Sequence, residues 1–204
     1  MAYHFNDILK KQTCALWYEV ASKNIEVILL DHAWCERKAA QTAFSLLNKT
    51  DDQSVQLKLS KLIREEMRHF EMMLPWLSKY DVKWSYLSPP RYAKSLLAQR
   101  ASGVKERLLD TLVIASLIEA RSCERFAGLV SYLPSDLGSF YHKLMMAEMR
   151  HVGIYLQIAK MMGYSQKAIE VHLERQSQHE SDVLDRVEDV VRFHSGLPHE
   201  SLVS

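Results

Sequence analysis

Leu59-Ser60-Lys61-Leu62-Ile63-Arg64-Glu65-Glu66-Met67-Arg68-His69-Phe70-Glu71-Met72-Met73 is the stretch that decides the fold. Leu59, Leu62 and Met73, with Val55 before them and Trp76 after, recur at three- and four-residue intervals, the period of a helix with one face in a core. Two positions of that apolar face hold Glu66 and His69 instead. A carboxylate and an imidazole at i and i+3 project from one side of a helix, about a turn apart. Glu66-Met67-Arg68-His69 returns letter for letter as Glu148-Met149-Arg150-His151, 82 residues later. The second copy again sits in a helical stripe, made by Tyr141, Leu144, Tyr155, Ile158 and Met162.

Outward from these two copies the periodicity is helical nearly throughout. After an irregular or short-helical opening over 1–21, the pattern predicts helices at 22–48, 53–80, 103–132, 136–163 and 166–194. Asp51-Asp52, Ser88-Pro89-Pro90, Pro134-Ser135 and Gly163-Tyr164-Ser165 mark the breaks, with Ser135 and Ser165 suited to N-caps. Pro75 is expected to kink its helix or end the regular part. The segment 81–102 is the one long connection between the middle helices, with room for a short helix over 92–100. The 204 residues are 48% hydrophobic, enough for one well-filled core. Only 6 Gly and 5 Pro argue against turn-rich sandwiches and barrels. The expected fold is therefore all-α: a ferritin-like four-helix bundle, with a long crossover between helices two and three and an additional C-terminal helix. It would form a single domain over 1–204. A generic bundle fits the helix count equally well, so the inward residues must decide.

Each inward stripe carries a glutamate. The first helix presents Ile28, Leu29, Ala33, Glu36, Ala40 and Ala43, and the third presents Leu112, Ala115, Glu119, Ser122 and Phe126. Four buried carboxylates without countercharge would exceed a domain's net stability of about 5–15 kcal/mol. The stripes contain no Lys or Arg, so metal ions are a simpler answer than a salt-bridged core. One Glu from each of two helices, plus Glu-x-x-His from each of the other two, is the ligand set of di-iron and di-manganese bundles. Mixed oxygen and imidazole donors suit those metals. Glu36, Glu66, His69, Glu119, Glu148 and His151 are the candidate ligands.

Other polar residues are expected to play lesser parts. Glu65 is read as a surface or supporting carboxylate and Glu124 as a supporting group or ion-pair partner. Asp31 and His32, a turn before Glu36, could orient a ligand. His172 and His179 are read as solvated. Cys14, Cys35 and Cys123 form an odd set without CxxC, as free thiols in a reducing compartment would. With no signal-like start and no apolar run of about 18 residues, the expectation is a cytoplasmic protein with no membrane partner.

Asp31-His32-Ala33-Trp34-Cys35-Glu36-Arg37-Lys38-Ala39-Ala40, Glu65-Glu66-Met67-Arg68-His69-Phe70, Ile118-Glu119-Ala120-Arg121-Ser122-Cys123-Glu124-Arg125-Phe126 and Ala147-Glu148-Met149-Arg150-His151 together resemble the bacterial tRNA 2-methylthio-N6-isopentenyl-adenosine hydroxylases. The resemblance covers roughly 25–165, and the Ile118–Phe126 stretch is its most family-specific piece. It implies a non-haem di-iron monooxygenase, with two iron ions held by the six ligands named above. Such an enzyme would hydroxylate the isopentenyl group of a modified adenosine beside the anticodon, using O2 and two electrons. No GxGxxG lies between a strand and a helix, so those electrons are expected from a separate reductase. Two rival readings share the ligand set: an iron-storage or ferroxidase subunit, and a di-iron quinone hydroxylase. Neither the oligomeric state nor the particular tRNAs can be read from the residues.

The net charge of +1 conceals an uneven distribution. Residues 55–107 carry 11 Lys/Arg against 5 Asp/Glu, a net of +6, while residues 166–204 carry a net of −4. In the crossover, cations alternate with aromatic rings, a combination suited to phosphates and unstacked bases. Lys83, Trp84, Arg91, Tyr92, Lys94 and Arg100 are the candidate tRNA contacts.

Overall fold

A computed structural model of the chain describes residues 4–88 and 91–202, so the Pro89-Pro90 part of the predicted break lies outside the described residues. In chain order the helices are α1 (Phe5–Ile8), α2 (Ala15–Lys23), α3 (Ile25–Leu47), α4 (Gln53–Lys79), α5 (Arg91–Ala98), α6 (Val104–Leu129), α7 (Ser135–Met161) and α8 (Gln166–Leu184). Two two-residue strands, β1 (Val187–Glu188) and β2 (Leu197–Pro198), and a 3-10 turn at Glu200–Leu202 complete the all-α chain. The contacts define two compact units, residues 24–88 and the remainder.

The 24–88 unit is the helix pair α3–α4, joined by a short link. Asp52 caps α4, its carboxylate accepting from the Ser54 and Val55 N–H groups. The buried stripe of α4 is Val55, Leu59, Leu62, Glu66, His69, Met73 and Leu77. It ends on Leu77 rather than on the expected Trp76, because a straight helix drifts about 20° per heptad. Close to the predicted 53–80 span, α4 continues through Pro75 to Lys79. Pro75 lies on the exposed side, where water can serve the carbonyl that loses its donor. The helix closes with Asp81 at φ 53°, Asp81 N–H bonding Ser78 O and Val82 N–H bonding Leu77 O. That is a Schellman closure with an aspartate in the left-handed position.

In the other unit α6 is buried on nearly every side, packed by α7, α8 and α1. α7 begins one residue earlier than expected, with Pro134 rather than Ser135 at the cap position. Ser165 caps α8, as predicted, accepting from Ala168 N–H. Between these helices Gly163 at φ 88° ends α7, with Tyr164 N–H reaching Ala159 O.

The C-terminal helix is shorter than its predicted 166–194, ending at Leu184. The chain then turns back, and β1 pairs in parallel with β2. Phe193, His194 and Ser195 become buried, Phe193 against Trp17 and Phe126. A Cβ at Gly196 would lie 2.2 Å from the Arg186 carbonyl, so only glycine permits this return. The apolar residues at 187–193 that suggested continued helix serve this tail instead.

Candidate metal centre

In the 24–88 unit, α3 supplies Glu36 and α4 supplies Glu66 and His69, all from buried faces. His69 Nδ1 lies 3.7 Å from Glu36 Oε2 and 3.8 Å from Glu66 Oε2. Donors bonded to one ion at about 2.0–2.2 Å stand some 3–4 Å apart, which is the spacing seen here. His32 Nε2 is 2.6 Å from Glu36 Oε1. A carboxylate only accepts, so the His32 ring N–H donates and fixes the Glu36 orientation, as the i, i+4 placement allows.

In the second unit, α6 supplies Glu119 and α7 supplies Glu148 and His151, again all buried. His151 Nδ1 is 2.5 Å from Glu148 Oε2. Phe126, Tyr141, Leu144 and Tyr155 fill neighbouring positions of the same stripes and are themselves buried. Glu66, His69, Glu148 and His151 each offer a buried ligand atom. A neutral imidazole adds a donor but no charge, so these carboxylates suit a divalent cation of the oxygen- and nitrogen-binding kind, such as iron or manganese. The donor set fits the metal pair expected from the residues.

A second buried acidic cluster has a different composition. Arg121 donates to Glu180 at 2.9 and 3.0 Å and to Glu124 at 3.0 Å. Glu124 also accepts from the Thr13 N–H and hydroxyl and from the Tyr18 hydroxyl, while Tyr92 donates to Glu180. Burial pushes the Glu124 carboxyl up, but Arg121 and the Thr13 hydrogen bonds outweigh it and hold the group below its ordinary value. Burial, and next the Glu180 charge, push the Tyr92 phenol well above its ordinary value. Arg125 lies over the Trp17 ring and donates to the Phe193 and Ser195 carbonyls. Desolvation, then repulsion from Arg121, push it down to about 10. Glu124 is thus the ion-pair partner expected for it. The deep burial of Arg121 and Arg125 is not evident from helical spacing, because α6 is covered all round.

Three sequence readings are corrected. Tyr92 is 1% exposed, bonded to Glu180 and stacked on His194, so it offers no face to RNA. His172 is not solvated: its Nδ1 lies 2.7 Å from Asp110, which Arg175 and the Ala101 N–H also bond. His179 is half-buried, with Nε2 3.2 Å from the Ser95 carbonyl. Of the other proposed RNA contacts, Lys83, Trp84, Arg91 and Lys94 are exposed. Arg100 is half-buried, donating to Leu97 O and Thr111 Oγ1. Unforeseen is a ring cluster in the 24–88 unit, where Trp34 stacks on Trp84 with the Arg37 guanidinium 4.7 Å and 5.2 Å from their centroids.

Fold and donor set together define a helical protein with buried carboxylate and histidine donors suited to a metal. A solved chain described as Protein 43 with aldehyde deformylating oxygenase activity, from Synechococcus, matches with a TM-score of 0.88. The match is at 33% identity and covers 95% of this chain and 98% of that one, placing the chain in the ferritin-like fold class. The protein belongs to the MiaE family, described as tRNA-(MS[2]IO[6]A)-hydroxylase, whose model matches residues 1–195. A Pseudomonas putida protein named tRNA 2-(methylsulfanyl)-N(6)-isopentenyladenosine(37) hydroxylase is 39% identical over 183 residues, 89% of each chain. A Salmonella typhimurium protein of the same name is 29% identical, over 86% of this chain and 82% of its own.

Proposed function

We propose that this protein is an O2-dependent di-iron monooxygenase that hydroxylates the isopentenyl group of 2-methylthio-N6-isopentenyl-adenosine next to the anticodon in tRNA. The repeated Glu-x-x-His on two buried helix faces carries the reading, and membership of the tRNA-hydroxylase family supports the substrate. Glu36, Glu66 and His69 from one helix pair, with Glu119, Glu148 and His151 from the other, hold two irons. When bound, the metal pair would supply the activation of O2 needed to hydroxylate an allylic C–H bond of the isopentenyl chain.

The chain's own residues do the rest. The glutamate carboxylates would balance the charge of the metals, and the neutral imidazoles of His69 and His151 would add nitrogen donors. His32 orients Glu36 through its ring N–H. Buried Phe126, Tyr141, Leu144 and Tyr155 keep bulk water from the α6–α7 donors. The electrons come from a separate reductase, and a tRNA substrate places the protein in the cytoplasm. Lys83, Trp84, Arg91, Lys94 and Arg100 contribute to binding that tRNA. Family membership disfavours the storage and quinone-hydroxylase alternatives. Among the described residues no helix is long and apolar enough to cross a membrane.

Protein loaded with ferrous iron under argon should bind about two irons per chain, the number the six-ligand set accommodates. With O2 and a reductant it should add one oxygen atom to the modified nucleoside in tRNA, read by nucleoside mass spectrometry. An unchanged nucleoside profile overturns the assignment. Glu119→Ala and His151→Ala should lose iron and activity together, and full iron retention in both would refute the ligand set.

A further inference from the structure

We propose that Trp34, Arg37, Phe70, Trp84 and Tyr86 form a stacking platform for an unpaired RNA base and its phosphate. On the hydroxylase reading, on which this proposal rests, that base belongs to the anticodon loop beside the modified adenosine.

The platform is already assembled within the 24–88 unit. The Trp34 and Trp84 rings stack at 4.8 Å with an interplanar angle of 29°, and Phe70 meets Trp84 edge-on at 5.6 Å. Trp34 Nε1 donates to the Ser85 carbonyl at 3.0 Å, which pins the segment carrying Trp84 to the helix pair. Ring area nevertheless stays open. Trp84 is 41% exposed and Tyr86, edge-on to Trp34 at 6.2 Å, is 76% exposed. A solvent-facing tryptophan and tyrosine held in fixed orientation lose little conformational freedom when a flat ligand stacks on them.

Arg37 selects the class of ligand. Its guanidinium lies over the Trp34 and Trp84 rings and 5.9 Å from the Phe70 centroid, half-buried, with no acidic partner among the described residues. A cation amid aromatic faces, with exposed Lys83 one residue from Trp84, matches a partner that is both planar and anionic. Single-stranded nucleic acid has both properties, since bases stack while phosphates pair with the cation. A purely apolar protein surface would leave the guanidinium uncompensated.

Position along the helices adds the functional link. Arg37 follows Glu36 and Phe70 follows His69, and Trp34 precedes Glu36 by two residues. At about 1.5 Å of rise per residue, Trp34 and Arg37 stand within some 3 Å of the Glu36 level along α3, and Phe70 within some 2 Å of the His69 level along α4. A nucleotide stacked there would leave its neighbour at the height of the metal donors of that unit.

The test uses iron-loaded protein and a labelled anticodon stem-loop, with affinity read by fluorescence anisotropy across a salt series. Trp84→Ala should weaken binding about tenfold, and Trp84→Phe should recover most of it. Tyr86→Ala, at a residue too exposed to be needed for folding, should weaken it several-fold. Arg37→Gln should lower the slope of log affinity against log salt by about 0.7, one phosphate contact on a single strand. Iron content and helical circular dichroism check that each variant is folded. Wild-type affinity in Trp84→Ala and Tyr86→Ala, or an unchanged slope in Arg37→Gln, would overturn the platform, as would a wild-type protein that binds no stem-loop. Conversion of the modified nucleoside by wild type is scored separately. If conversion occurs but Trp84 is dispensable, the platform alone fails; if binding depends on Trp84 but wild type converts nothing, the hydroxylase reading alone fails.

Discussion

Buried acids of two kinds differ in what stands opposite them. Glu124 and Glu180 meet the Arg121 guanidinium at 2.9–3.0 Å, and hydroxyl and backbone donors take up other oxygen atoms. Glu36 and Glu148 meet imidazoles instead, His32 at 2.6 Å and His151 at 2.5 Å. The first group carries its countercharge in the sequence, so folding alone completes it. The second sets oxygen beside nitrogen donors within each helix pair, a combination that suits a metal.

The largest expected effect tests the self-contained group. Arg121→Leu should destabilise the protein by about 3–5 kcal/mol in urea unfolding, because two acids stay buried without their cation. A loss below 1 kcal/mol would mean that the carboxylates relax or take up protons easily, and the contrast between the groups would weaken.

The next effect tests the metal group. Ferrous iron at about a hundred times its dissociation constant should stabilise wild type by about 2.7 kcal/mol per site, seen as a rise in Tm. Chelation should reverse that rise. Glu66→Ala and Glu148→Ala should show little of it, while Arg121→Leu should keep it. Equal iron-induced shifts in all the variants would erase the distinction.

Acid should act on the self-contained ion pairs in a predictable sense. Burial raises the Asp110 carboxyl, but the Ala101 N–H, His172 and Arg175 more than reverse this, and Glu124 is likewise held low. The native state therefore binds fewer protons at these groups than the unfolded chain. Their stabilisation is complete above the unfolded carboxyl values, about 4, and is lost as pH falls through the lower native ones. The urea midpoint of wild type should drop as pH falls below about 4, and Asp110→Asn should flatten part of that drop. An unaltered profile would show that these pairs do not govern the acid limb.

The smallest effects concern helix ends. Ser165→Ala should cost about 1 kcal/mol, since its hydroxyl caps α8, whereas Ser135→Ala should stay within about 0.5 kcal/mol because Pro134 holds the cap position. Thermal unfolding of the pair reads this difference directly.

Much of the architecture was legible because helical periodicity is a local signal. Helices α3, α4, α6 and α7 fall within a few residues of their expected bounds, and the glutamate and histidine positions on their buried faces are those read from spacing. The tail after Leu184 misled because apolar residues at 187–193 satisfy a helix and a packed return equally well. Tyr92 and His172 misled for a related reason. Their partners Glu180 and Asp110 are 88 and 62 residues distant, beyond any periodic pattern.

By itself, then, the sequence determined the helical class, the repeated Glu-x-x-His and the family to which those letters belong, since each depends on residues within a few turns of one another. The tertiary structure alone decided which charges are neutralised within the chain and that Arg37 lies among the Trp34, Phe70 and Trp84 rings. Those arrangements join residues far apart along the chain, and only packing brings them within the few ångströms over which ion pairs and ring contacts act.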